Sequence, residues 1–242
     1  MARKKKEEAQ KTRQQLIEAA IGLFATRGVS STTLTDIADA AQLTRGAVYW
    51  HFSSKAEIFN AIWDQQLPMR EMIRDRLILS ENDDPLLMLR EQFIVALQYI
   101  ASEPRQYALL QILYHKCEFH DDVISECEIR KRIGLNDDYL RKTLKRCIAR
   151  NVISSQTNIE LALIVFHAFF SGVIKNWLMD SNNFNLYKQA PALVDNILAT
   201  LNITRVAPVV YDTAHDRVRG GDISPCWHCS IIACAVIGLP SR

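Results

Sequence analysis

Glycine and proline are scarce in this chain of 242 residues: there are eight glycines and seven prolines, and three of each lie beyond position 204. Residues 1–204 therefore carry few helix breakers. No stretch of useful length alternates apolar and polar residues as a half-buried strand does, so an all-α fold is expected. The chain also lacks an apolar run of membrane-spanning length. The longest, 161–174, contains His167, Ser171 and Gly172 and stops at Lys175, short of the ~20 residues a bilayer needs. Behind Met1 come Ala2-Arg3-Lys4-Lys5-Lys6-Glu7-Glu8, with no apolar segment and no small-residue cleavage site, so no secretory leader is expected. Six cysteines, at 117, 127, 147, 226, 229 and 234, lack the spacing of a disulfide framework, and a reduced cytoplasmic setting follows. Gly-rich phosphate loops, HExxH and GxSxG are absent, and with them the chemistry of an enzyme. No cofactor is expected.

What is present is a succession of helical patterns. Leu16, Ile17, Ala20, Ile21, Leu23 and Phe24 recur at helical steps and Gly28 closes the run, giving a first helix over roughly 8–27. Two short segments follow, 34–41 and 45–52, then a fourth over about 55–79. Asp84-Pro85 opens the next, to 102, and Glu103-Pro104 ends it. Further helices are expected over 105–116, 121–150, 158–179 and 187–203. The chain divides into 1–54, a small module with a basic N-terminal arm; 55–204, a larger helical unit; and 205–242, a Gly- and Pro-containing tail without periodicity that reads as disordered or extraneous. Charge follows the same division. Residues 1–60 hold nine lysines and arginines against six carboxylates, whereas 61–204 hold sixteen against eighteen. The basic excess therefore sits with the small module, as suits an anionic partner.

Residues 33–52 carry the most information. Thr33 and Thr44 stand where hydroxyls cap the helices that follow them. Ile37, Ala38 and Ala41 face inward, Leu43 fills the turn, and small residues permit a close crossing, which makes a helix-turn-helix. The second helix then exposes Thr44, Arg45, Gly46, Tyr49 and Trp50, the position of a major-groove reader. Arg45 can fork onto guanine O6 and N7, Gly46 lets backbone approach DNA, Tyr49 and His51 can donate to phosphate, and Lys55 adds charge at the next helix start. Arg3, Lys4, Lys5 and Lys6 are placed along the duplex as an arm. A packed helical hairpin with Tyr49, Trp50 and Phe52 in its core is the plainer alternative.

The run Thr44-Arg45-Gly46-Ala47-Val48-Tyr49-Trp50-His51-Phe52, followed by Lys55, resembles the DNA-binding domain of the TetR family of repressors. Tyr114-His115-Lys116-Cys117-Glu118-Phe119, Asn176-Trp177-Leu178-Met179 and residues 186–195 resemble its AcrR branch, and the likeness extends over about 1–203. The resemblance implies a nine-helix homodimer that binds double-stranded operator DNA of efflux-pump genes through its first three helices. It also implies a dimer seam on the last two, here Leu161, Val165, Phe169, Val173 and Trp177 with Leu193, Ile197 and Leu201. A third implication is an apolar chamber for a hydrophobic or cationic small-molecule inducer, with Trp63, Gln66, Met69, Phe93, Leu97, Leu110, Ile112 and Tyr114 as candidate lining. Glu91 or Glu118 could face a cation there.

Two other functions remain open at this level. One is a small-molecule-binding protein without an operator. The other is a metal or redox switch through Cys226-Trp227-His228-Cys229, Cys234 and His215, although a single CxxC is weak grounds for a metal, and none is expected.

Overall fold

The computed structural model describes residues 2–77 and 84–202, and every described regular element is helical. The helices are α1 (Ala2–Arg27), α2 (Leu34–Ala40), α3 (Arg45–His51), α4 (Lys55–Asp64), α5 (Met69–Ile73), α6 (Pro85–Ser102), α7 (Pro104–Gln111), α8 (Glu126–Ile133), α9 (Asp137–Ala149), α10 (Ile159–Met179) and α11 (Leu186–Ala199). Eleven helices stand where nine are expected, because two of the nine break. Pro68 disfavours helical backbone before it and splits the fourth into α4 and α5, while Gly134 and the cap at Asn136 separate α8 from α9. The opposite happens at the N-terminus. α1 begins at Ala2, so the basic run forms its first turns instead of an extended arm. The tail, with its expected disorder and its cysteines, lies outside the described residues.

Helix starts are encoded locally. Thr33, Thr44, Ser54, Asp84, Ser125, Asn136, Asn158 and Asn185 each accept a backbone N–H at the start of α2, α3, α4, α6, α8, α9, α10 and α11. At α2 the cap is reciprocal: the Asp36 N–H donates to Thr33 Oγ1 at 3.1 Å, and the Thr33 N–H donates back to Asp36 Oδ2 at 2.8 Å. Ser53 makes the matching pair of donations to Glu57 at α4. Donation from the Thr33 hydroxyl and N–H holds the Asp36 carboxyl below its usual pKa, and donation from the Ser53 N–H and hydroxyl does the same for Glu57. Their contribution is present above the ordinary carboxylate range and is lost as pH falls through the lowered values. Thr33→Ala is expected to cost about 1 kcal/mol and to raise the pH of acid unfolding, both read by circular dichroism.

One apolar core runs through the molecule. Leu16, Ile17, Ala20 and Phe24 of α1 pack with Ile37, Val48, Phe52, Ile58, Phe59 and Ile62, and the core continues through Trp63 to α6, α7 and α10. α6 lies chiefly against α11, tied at the surface by a two-pronged Arg90–Asp195 pair at 2.6 and 3.0 Å. Polar links join the N-terminal three-helix unit and the segment from α4 to Gln66 to the rest. The Val29 N–H donates to the Lys116 carbonyl at 2.9 Å, Arg105 of α7 reaches both Glu18 and Gln66, the Ile124 N–H donates to Asn60 at 2.8 Å, and Arg132 pairs with Asp64. The Lys116 carbonyl ends a π-helical turn, Ile112–Lys116, that prolongs α7.

The expected dimer seam is corrected in part. Leu161 is exposed and Val165, Phe169, Val173 and Leu193 are half-buried, but Trp177 packs edge-on against Tyr107 inside the subunit, and Ile197 and Leu201 are also core. A strict i, i+4 series precesses by about 40° per step, so positions 161 and 177 lie on different sides of α10. The large apolar residues that α10 exposes are Leu161, Ile164 and Met179. α10 is also long and apolar enough to cross a membrane by length and composition, a test that core helices of soluble proteins pass too.

Candidate nucleic-acid interface

Ala41 ends α2, Gln42 takes a left-handed φ of 55°, and the Leu43 N–H returns to the Ala38 carbonyl at 2.9 Å, so the chain reverses into α3 in three residues. Val48 is fully buried and anchors α3 on α1 and α2. The opposite side of α3 is bare: Tyr49 is 48% and Trp50 71% exposed, and Thr44, Arg45 and Gly46 are exposed beside them. This disposes of the core-hairpin alternative, since only Phe52 of the three aromatics is buried.

On that face the Arg45 guanidinium donates to the Tyr49 hydroxyl at 3.1 Å and lies 5.4 Å from the centre of its ring. One N–H is used and four remain, while the Tyr49 O–H proton stays available for a phosphate. Trp50 stands edge-on to His51 at 4.4 Å. Burial, helped by the Arg13 charge, holds His51 below the ordinary imidazole pKa, so near neutrality it acts as a neutral hydrogen-bonding group. Arg13 itself lies 4.7 Å from the Phe52 ring. It is a cation at the end of α3 that sequence reading missed, since only the crossing of α1 over α3 brings it there. Lys5 and Lys6 are exposed on α1, and the side chains of Arg3 and Lys4 lie outside the described residues.

Two expected caps form, and one expected contact does not. Thr33 spends its hydroxyl on the α2 cap, and the Thr44 hydroxyl accepts the Ala47 N–H. Lys55 is corrected outright. Its ammonium donates to the carbonyls of Val29, Ser30 and Thr32 at 2.6, 3.1 and 2.9 Å, which uses all three of its protons. It therefore clamps the turn between α1 and α2 and does not reach outward to phosphate.

Gly46 is informative because nothing inside requires it. A Cβ there would meet only Thr44 Oγ1, at 3.8 Å, and its φ is not positive. No internal contact excludes a Cβ at Gly46, and its bare backbone lies on the exposed face of α3. Gly46→Ala is expected to raise thermal stability slightly and to lower operator affinity roughly tenfold per half-site, about the value of one close backbone hydrogen bond to DNA, as measured by melting and fluorescence anisotropy.

The candidate inducer residues are arranged differently from an open chamber. Trp63, Phe93, Leu97, Leu110 and Ile112 are buried within the continuous core, Met69 and Tyr114 are half-buried at its edge, and Gln66 is bonded to the Ile62 carbonyl and to Arg105. Two surface clefts, one around Arg13, Asn60 and Asp122 and one around Gln14, Gln15 and Ala40, include none of them. Glu91 is paired with Arg90, and Glu118 stands 4.0 Å from His120. Among the described residues no cluster of His, Cys, Asp or Glu could hold a metal. Burial pushes the free thiols of Cys117 and Cys147 up to about 11, which leaves both unreactive as oxidant sensors.

Comparison with known proteins agrees with this geometry. Residues 16–62 match the bacterial regulatory proteins of the tetR family, and residues 84–203 match the C-terminal region of MAATS-type transcriptional repressors. The chain is 50% identical over 210 residues to the "probable acrEF/envCD operon repressor" of Escherichia coli strain K12, covering 85% of this chain and 96% of that protein. It is 37% identical over 191 residues to the transcriptional regulator AcrR of Shigella flexneri, covering 78% and 89%. Among solved structures, NalD, the secondary repressor of the MexAB-OprM multidrug efflux pump in Pseudomonas aeruginosa, superposes with a TM-score of 0.65 at 30% identity, covering 81% of this chain and 98% of that one.

Proposed function

This chain belongs to the TetR family of bacterial regulatory proteins, and from that premise we propose that it is a cytoplasmic, dimeric repressor of multidrug efflux genes released by amphipathic small molecules. The observation that carries the reading is the outward face of α3, where Arg45, Tyr49 and Trp50 surround a glycine that internal packing does not need. Arg45 reads guanine in the major groove, and Tyr49, His51 and the backbone at Gly46 hold phosphate. A second copy covers Leu161, Ile164 and Met179 on α10, so that two α3 helices meet successive major grooves of a roughly palindromic site.

Release follows from the links between units. A ligand entering the core around Trp63 and Phe93 displaces α7, and α7 carries α1 with it through Arg105–Glu18 and the Lys116 carbonyl on Val29. If the ligand binds better to the displaced state, it lowers operator affinity by that difference. The test is fluorescence anisotropy with duplex DNA from upstream of the protein's own gene, at two salt concentrations and then with an amphipathic compound added. The reading predicts tight, salt-sensitive binding that the compound reverses. Salt-insensitive or absent binding on every operator tried would leave a small-molecule-binding protein instead.

A further inference from the structure

Trp63 is fully buried on α4, and its indole Nε1 has no hydrogen-bond partner, the single buried side-chain donor or acceptor in that state among the described residues. Its ring packs edge-on against Phe59 at 6.0 Å. The polar atoms nearest along the chain are already committed. The Trp63 carbonyl accepts the Gln66 N–H at 3.2 Å, the Gln66 amide donates to the Ile62 carbonyl at 2.5 Å, and Gln66 Oε1 accepts from Arg105 at 3.1 Å. Elements further along the core are short of acceptors as well. Buried Gln106 and the Tyr99 hydroxyl both direct donors at the thioether sulfur of Met72, at 3.4 and 4.0 Å, and a thioether accepts weakly. Two donors of the larger unit thus share one weak acceptor.

A buried donor without an acceptor keeps its whole desolvation penalty, and in a folded protein such a group calls for an explanation. Residues forming a single apolar cluster do not offer the two to four polar partners that a buried water needs. A ligand that brings an oxygen to the indole removes the penalty, so its gain includes the hydrogen bond and the relief of the orphan. A ligand offering only a positive charge or hydrocarbon gains neither.

Resting on the ligand-responsive reading above, we propose that the Trp63 indole N–H is the recognition donor of the inducer site. The ligand class is then apolar aromatic molecules that carry a hydrogen-bond-accepting oxygen, a ketone or an ether. Of the hydrophobic and cationic inducers that the family resemblance implies, this favours the hydrophobic, since Glu91 is paired with Arg90 and no carboxylate hydrogen-bonds the Trp63 indole.

The experiment uses the full chain and a near-isosteric pair of probes, 2-acetylnaphthalene and 2-isopropylnaphthalene, titrated calorimetrically into the wild type and Trp63→Phe. The ketone is expected to bind the wild type roughly tenfold tighter than the hydrocarbon, the value of about one well-made buried hydrogen bond. In Trp63→Phe the two should agree within about twofold, because the donor is gone while the aromatic body remains. A second readout needs only the wild type. The Trp63 indole N–H resonance should move downfield with the ketone and not with the hydrocarbon. It is assigned by its loss in Trp63→Phe, or by elimination with phenylalanine variants of the other tryptophans if that variant does not fold. Equal affinities in the wild type, or a tenfold preference that persists in Trp63→Phe, overturns the proposal and leaves the ligand-responsive reading standing. If neither probe produces heat or a shift, the proposal falls, while release from operator DNA by an amphipathic compound, read by anisotropy, decides the ligand-responsive reading separately. Operator binding on the same preparation, read by anisotropy, is independent of all these outcomes.

Discussion

Arg45→Ala is expected to lower operator affinity by roughly thirtyfold to twenty-thousandfold while leaving the melting temperature unchanged. The range follows from about 1–3 kcal/mol per forked arginine–guanine pair, counted once in each half-site of a dimer. Stability is untouched because the guanidinium is exposed and its protein partner is the hydroxyl of Tyr49, itself 48% exposed. The loss should depend on sequence: the variant discriminates less at the guanine that Arg45 reads and binds unrelated duplex nearly as before. Tyr49→Phe separates the two parts of the pair. It keeps the ring beneath the guanidinium and removes only the hydroxyl, so it should cost less than Arg45→Ala. Competition anisotropy with operator and scrambled duplex reads both. Equal affinity of Arg45→Ala and wild type for the operator would remove α3 from the recognition role.

Lys55→Met should behave in the opposite way. It withdraws three donations to the carbonyls of Val29, Ser30 and Thr32, and hydrogen bonds from a charged group are each worth more than neutral ones. The expected cost is about 2–3 kcal/mol, or a fall in melting temperature on the order of 5–10 °C for a protein of this size. Operator affinity falls too, since the loosened turn no longer sets α2 and α3 against α1. The slope of affinity against salt nonetheless stays as in the wild type. Were the lysine bound to a phosphate, its replacement would reduce that slope by about 0.9 per phosphate, so the salt titration distinguishes a clamp from a DNA-binding group even where the variant binds weakly. A lowered slope with unchanged melting would return Lys55 to the phosphate backbone.

The contrast between these two residues marks what the sequence makes legible. Arg45 is readable because its role depends on local spacing: a capping threonine before it, a turn of three residues, and Val48 at the step that turns it outward. The Thr33 and Asp36 box is legible for the same reason, and so are most helix starts. Lys55 is not, because its acceptors lie twenty-three to twenty-six residues back and are main-chain carbonyls that exist as a group only once the turn after α1 has formed. Arg13 escapes for a like reason. Trp177 misleads because a four-residue step drifts round a helix within a few turns, and Ile197 and Leu201 because the apolar side of the last helix packs on α6 within the subunit. The π-helical turn at Ile112–Lys116 contains neither glycine nor proline and gives no signal at all. In the larger unit, apolar periodicity identifies the core, but the same pattern describes residues that pack together and residues that part for a ligand. The unsatisfied indole of Trp63 is, on the proposal above, the mark of the second.

The central claim is that two copies of α3 read a two-fold symmetric operator through Arg45. Selection of binding sequences from a random duplex library, carried out in parallel with the wild type and Arg45→Ala, tests it most directly. The account predicts an inverted repeat whose half-sites are centred about one helical turn or a multiple of it apart, each with a guanine that the variant no longer selects. Enrichment of a single asymmetric site, or of the same guanine by the variant, would contradict it.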